Sequence, residues 1–262
     1  MDASGSDSSV LQAAPRSLQT RLEAGDHHLW AAHNVLRRVV GHDRDEHGPA
    51  IDAGELGRQI SILREWAEAG DLLISADQLP KIVKGGREHS LVRTPGYLDR
   101  LVKVTIGPEF GFYAACLPKS QYRDVCHWFT TVEALPLQYF RRLLLLNELF
   151  PRCHTRLAGF VWSGSRLHAL TVQLIAEGRP ASLHEISVWL QGLGYRFISA
   201  WTWFHPESGV ALFDVLEKNV MRCDDGEIVP FDVIPIRCEG TFLEMMHSAA
   251  RRMAGTSVGS RV

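Results

Sequence analysis

The amino-acid sequence predicts an α+β fold in two lobes. Amphipathic helices come first, short β-type runs broken by one helix follow, and a further helix leads into a last set of strands. No internal repeat is visible, and 262 residues suffice for one large domain or two small ones around an apolar core.

Residues 1 to about 18 are rich in Ser, Gly, Ala and Pro without periodicity and read as disordered. Residues 19–40 read as a helix marked by Leu22, Leu29 and Leu36, and "GHDRDEHGP" as a charged linker. In "DAGELGRQISILREWAEAGDLL" the apolar positions Leu56, Ile60, Leu63 and Ala67 recur at helical steps. "HSLVR", "RLVKVTI", "RLAGFVW" and "RLHALTVQL" are β-type runs, the last two joined by the hairpin turn "WSGSR". Between them "PLQYFRRLLLLNELF" reads as a helix, with Pro136 in its first turn and Pro151 closing it. "ASLHEISVWLQGLGY" is a second helix. Ser182 and Glu185 form its capping box, Ile186, Trp189, Leu190 and Leu193 its apolar face, and Gly194 its end. Strands "YRFI", "WTWF" and "GVALF" follow. The expected divisions are an N-terminal extension over 1–47, a helical segment over 48–82, a β-rich lobe over 83–176 and a smaller lobe over 177–262.

The composition is that of a globular protein, 45% hydrophobic and 22% charged, and a net charge of −2 gives no basic field for nucleic acid. No apolar run reaches the roughly 18 residues of a membrane span. The start of the chain lacks the pattern of a secretory signal. Five widely spaced cysteines fit reduced thiols in a cytoplasmic protein, and no Cys-x-x-Cys supports zinc at Cys126-His127 or Cys153-His154.

The stretch with the most chemistry is "FDVLEKNVMRCDDGEIVPFDV", residues 213–233. Asp225-Gly226 signals a two-residue hairpin turn. That register sets Asn219 opposite Asp232, with Cβ atoms about 4.5–5.5 Å apart. Two oxygen ligands so placed can grip a hard cation such as Mg²⁺ and leave positions for phosphate. Asp214, five residues before Asn219, can aim a carboxylate at a hydroxyl nucleophile. Each residue alone is equally at home as a turn or cap; the combination is a phosphotransferase arrangement.

The pattern Asp214-x4-Asn219-x12-Asp232 resembles the catalytic loop and metal-binding Asp of the protein-kinase-like fold. With "GGREHSLVR", "RLVKVT" and "IVPFDVIPIR", residues 56–237 resemble the Ser/Thr/Tyr-kinase-like domain of polyvalent proteins of phages and mobile elements. The resemblance implies a kinase-like two-lobe fold with a helical N-terminal extension and a reduced C-terminal lobe. It also implies ATP- and Mg²⁺-dependent transfer of phosphate to a hydroxyl of a protein or small molecule. It implies Asp214 and Lys103 as catalytic residues and Asn219 and Asp232 as metal ligands. Gly85 and Gly86 would cover the phosphates, Lys103 would hold them, and Gln173, Leu174 and Ile175 would meet the adenine by backbone groups. Glu88-His89 belongs to the resemblance without an assigned role.

Val102, Val104 and Ile106 share one strand face, so Lys103 points to the other, beside Leu101 and Thr105. The departures are a missing three-glycine loop, Phe213 where eukaryotic kinases have His-Arg, and Val-Ile after Asp232. The expected helix Glu has no clear match, Glu148 being the only acid in 136–150. Only 30 residues follow Asp232, little room for a peptide-binding lobe. Two other functions fit these departures: a nucleotide-binding regulator without turnover, or AMP transfer on the same fold.

Overall fold

The computed structural model describes residues 27–40, 52–79, 82–86, 88–92, 100–106, 110–116, 129–164, 166–175, 177–199 and 201–256. The expected disordered start, Leu22, the charged linker and Cys126-His127 lie outside them. Among the described residues two helices come first, α1 (His27–Val40) and α2 (Ala53–Ala69). Asp52 caps α2, its Oδ1 accepting from the Gly54 and Glu55 amides at 2.8 and 3.4 Å. Leu29, Leu36, Leu63 and Ala67 are buried, as the spacing predicts, whereas Leu56 and Ile60 are only half-buried.

Eight strands and one helix build the next part. They are β1 (Leu73–Ser75), β2 (Ile82–Gly85), β3 (His89–Val92), β4 (Arg100–Thr105), β5 (Phe112–Cys116) and β6 (Phe129–Glu133), then helix α3 (Pro136–Leu149), then β7 (Thr155–Ser163) and β8 (Arg166–Leu174). Six strands form one sheet in the order β1-β7-β8-β4-β3-β2, antiparallel except where β1 joins β7. Val102, Val104, Leu170 and Val172 pack on one face in a core cluster. β4 is interior, between β3 and β8, so Lys103 stands on a covered face and not on a solvated edge. β5 and β6 form a separate pair that the residue pattern does not reveal.

The remaining elements are β9 (Gly178–Pro180), α4 (Leu183–Gly192), β10 (Arg196–Ser199), β11 (Thr202–His205), β12 (Val210–Phe213), β13 (Val220–Cys223), β14 (Ile228–Pro230), β15 (Ile234–Arg237) and α5 (Gly240–Thr256). They give a four-stranded sheet, β10-β11-β12-β15, and a three-stranded one, β14-β13-β9. The capping box of α4 is present, Glu185 N–H donating to Ser182 Oγ at 3.3 Å and Ser182 N–H to Glu185 Oε2 at 2.9 Å. The residues after Asp232 form β15 and α5, and α5 buries Phe242, Met246, Ala249 and Ala250 in the main core.

The architecture is α+β. α3 packs against α1, α2 and β15, and it is buried over most of its circumference. Its first turn is held by Gln59 of α2, which is fully buried. Gln59 Oε1 accepts from the Leu137 amide at 3.0 Å and Nε2 donates to Glu55 at 2.8 Å. Gln59→Leu keeps the volume but strands the Leu137 N–H, so a loss of about 1–3 kcal/mol is expected, read as a lower urea midpoint with unchanged slope.

The hairpin register departs from expectation by one residue. Val220 faces Pro230, Met221 faces Val229 and Arg222 faces Ile228. The turn holds three residues, Asp224 to Gly226, closed by Cys223 N–H to Glu227 C=O (2.8 Å) and Gly226 N–H to Cys223 C=O (2.9 Å). A two-residue turn needs positive φ at both central positions. Only Gly226, at φ 90°, adopts it; Asp225 does not. Asn219 therefore leaves the ladder for a 3₁₀ turn, Glu217–Asn219, and Asp232 lies beyond the end of β14.

Candidate functional site

Asn219 and Asp232 still meet, by a different route. The Asp232 N–H donates to the Asn219 C=O at 3.4 Å. Asn219 Nδ2 donates to both the main-chain oxygen and Oδ2 of Asp214, each at 2.8 Å. The loop from Asp214 to Asn219 is thus closed on itself. Asp214 sits at φ 54°, a region Asp and Asn enter more readily than other non-glycine residues. Phe213, where the kinase pattern has His-Arg, is buried against Phe242 and Phe129 and anchors the loop from below.

From the other half of the chain, Lys103 Nζ reaches Asp232 Oδ1 at 3.2 Å. Lys103 is 7% exposed and the Asp232 side chain 38%. Burial pushes the Asp232 carboxyl upward, but Lys103, then His89 and Arg142, outweigh it and hold the group below its usual value. Asp214 moves the other way: burial raises its pKa against the opposing Asn219 hydrogen bond and the Lys218 charge.

These groups line one cleft of about 390 Å³, within the range of small-molecule sites. Gly85, Gly86, Lys103, Asp214, Asn219 and Asp232 all border it, together with Glu88, His89 and Lys218. Leu91, Leu101, Phe112, Phe231 and Ile234 supply apolar wall. Gln173, Leu174 and Ile175 do not border it. Gln173 Nε2 instead donates to the carbonyls of Cys153 and Phe231, each at 2.9 Å, and so fixes the segment entering Asp232. The Gly86 N–H donates to the His89 C=O at 2.7 Å, closing the turn, so this amide is already used.

The donor set fits a hard cation with phosphates. Asn219 spends its amide nitrogen on Asp214, which leaves its side-chain oxygen as the atom to offer. Asp232 is ionised beside it, and two amines, Lys103 and Lys218, border the same cleft for anionic oxygens. Glu88, His89 and Asp232 also cluster with donor atoms within 4.8 Å of one another. Lys103 and Arg142 already neutralise those two carboxylates.

Sequence reasoning missed the layer behind the cleft. Arg142 of α3, 3% exposed, pairs through Nη2 with Glu88 Oε1 at 2.5 Å. Its Nη1 donates to the Phe112 C=O at 2.7 Å, and Glu88 Oε1 accepts from the Phe112 N–H at 3.2 Å. His89 Nε2 lies 2.9 Å from Tyr139 Oη. Glu148, the only acid of the helix, instead pairs with Arg237 on the surface at 2.8 Å. So α3 presents Arg142, and not Glu148, to the layer behind the cleft.

Burial pulls the His89 pKa from 6.5 down to about 4, the nearby Glu88 opposing only in part. A lowered pKa means that the unfolded chain takes the proton first. Stability is therefore expected to fall as pH drops from 6.5 toward 4. In His89→Gln that part of the slope should vanish, as read from urea midpoints at stepped pH.

Residues 130–235, from β6 to β15, match the family model described as Serine/Threonine/Tyrosine Kinase found in polyvalent proteins. The span holds Asp214, Asn219 and Asp232, covers less than half of the chain, and leaves Gly85, Gly86 and Lys103 outside it. No curated protein and no solved structure matches the chain. The match supports a kinase-like function in general terms. No helix among the described residues is long and apolar enough to cross a membrane.

Proposed function

We propose that the protein transfers the γ-phosphoryl group of ATP, as its Mg²⁺ complex, to a hydroxyl of a protein or small molecule. The β-rich part, 83–176, is the nucleotide lobe, and 177–262 the reduced catalytic lobe of a kinase-like fold. One observation carries the reading. Lys103 lies outside the matched span and 129 positions from Asp232, yet it meets Asp232 at 3.2 Å in the cleft that Asp214 and Asn219 border.

Lys103 and Lys218 hold phosphate oxygens, and Leu91, Leu101 and Phe231 offer an apolar wall for a base. Asn219 and Asp232 would hold Mg²⁺, whose chemistry is to neutralise charge on the phosphates. Asp214, its pKa raised by burial, orients the acceptor hydroxyl and takes its proton. The hydroxyl oxygen bonds to the γ-phosphorus, the bond to the β–γ bridging oxygen breaks, and ADP leaves. Catalysis of this kind is positioning and charge stabilisation, with little covalent work for the protein. The test is ATP turnover against a panel of hydroxyl acceptors, followed by release of ADP and mass spectrometry of the product. A gain of a phosphate mass supports the reading, whereas a gain of AMP, or binding without turnover, overturns it.

A further inference from the structure

We infer that the Glu88–Arg142 pair is a fixed clamp that sets the turn between β2 and β3 over the cleft, which makes both residues positioning residues for nucleotide binding. The inference rests on the phosphotransferase reading.

The geometry is a closed ring. Arg142 grips Glu88 and the Phe112 carbonyl, and Glu88 accepts the Phe112 amide. Gly111 makes room for it: at φ 83°, a Cβ on Gly111 would stand 2.9 Å from both Cγ and Cδ of Glu88. Glu88 in turn belongs to the turn itself, its carbonyl accepting the Ile106 amide at 3.0 Å, one residue past the end of β4. The ring therefore joins α3, the start of β5, the turn and the strand of Lys103.

The cost of the arrangement speaks for a purpose. Arg142 lies on a helix face otherwise occupied by Tyr139, Leu143 and Leu146, and its Nε has no hydrogen-bond partner among the described residues. A buried ion pair is often no more stabilising than apolar side chains of similar volume, so packing alone does not call for it. What the pair does supply is a defined position for Glu88, and with it for Gly85 and Gly86. It also leaves Lys103 with Asp232, not a helix acid, as its carboxylate partner.

The test uses Glu88→Gln, which keeps shape and an oxygen for the Phe112 amide, and Gly111→Ala, which displaces Glu88 while removing no charged side chain. Asp52→Ala, which removes the exposed cap of α2, controls for stability lost in general. Two readouts are taken on the full chain below its melting range: Kd for Mg·ATP, and hydrogen exchange at the Gly86 and Ile106 amides. Both clamp variants are expected to raise Kd about tenfold to 10²-fold, as small misplacements do. They should also speed exchange at those amides, while Asp52→Ala changes neither. Wild-type Kd in folded clamp variants overturns the inference. Faster exchange with unchanged Kd also overturns it, leaving a purely structural pair. A wild type that binds no nucleotide overturns the phosphotransferase reading and, separately from the exchange result, the clamp's role in it.

Discussion

Asp214→Asn is expected to bind Mg·ATP as the wild type does and to lose phosphoryl transfer by about 10²–10⁴-fold, the usual contribution of a positioned base. The substitution suits the local structure. An Asn side-chain oxygen can still accept from Asn219 Nδ2, and Asn tolerates the left-handed backbone at φ 54°. Ala at the same position would strain the backbone and lose the hydrogen bond, mixing a folding defect with a catalytic one. The pH profile gives a second reading. Because burial raises the Asp214 pKa, the acid limb of kcat/KM should lie above the ordinary Asp range, and activity should fall as pH drops through it. That limb should be missing from any residual activity of the variant. Full activity in Asp214→Asn would remove the base from the mechanism.

The second large effect concerns Lys103 and Asp232, and it is asymmetric. Asp232→Asn leaves a nearly buried ammonium without its carboxylate. Breaking a buried pair typically costs about 3–5 kcal/mol, and the partial exposure of Asp232 points to the lower end. Lys103→Met leaves a carboxylate that water can reach and should cost about 1 kcal/mol or less. The double variant should be more stable than Asp232→Asn alone, a coupling that a double-mutant cycle in urea isolates. Both single variants should lose Mg·ATP affinity, Lys103→Met while keeping near wild-type stability. Equal stability of all three variants would mean that the ion pair does nothing for the fold.

Much of the candidate site was legible from local pattern. The alternation of Val102, Val104 and Ile106 put Lys103 on the opposite strand face, and the chain did bury it there. The helical spacing in 136–150 and the capping box at Ser182 and Glu185 are short-range signals, and the structure carries both. Asp214 and Asn219 are five positions apart in one loop, yet the hairpin reading set Asn219 against Asp232 and did not foresee its bond to Asp214.

What the residues could not reveal depended on contacts between distant segments. Asp225-Gly226 is compatible with turns of two or three residues, and the choice rests on which positions take positive φ. Here Asp224 joined the turn, and every pair in the ladder moved by one. No pattern in the sequence singles out Arg142. Only the packing of α3 among α1, α2 and β15 buries Arg142 and turns it toward Glu88, 54 positions away. The resemblance gives Gln173 to the adenine, but its side chain holds the Cys153 and Phe231 carbonyls, which lie far from it in the chain. By itself, then, the sequence determined the strand face of Lys103 and the helices α1 to α4, because periodicity and capping are local. The tertiary structure alone decided the register, the Lys103–Asp232 pair and the Glu88–Arg142 ring, because buried charges find their partners through packing and not through neighbours in the chain.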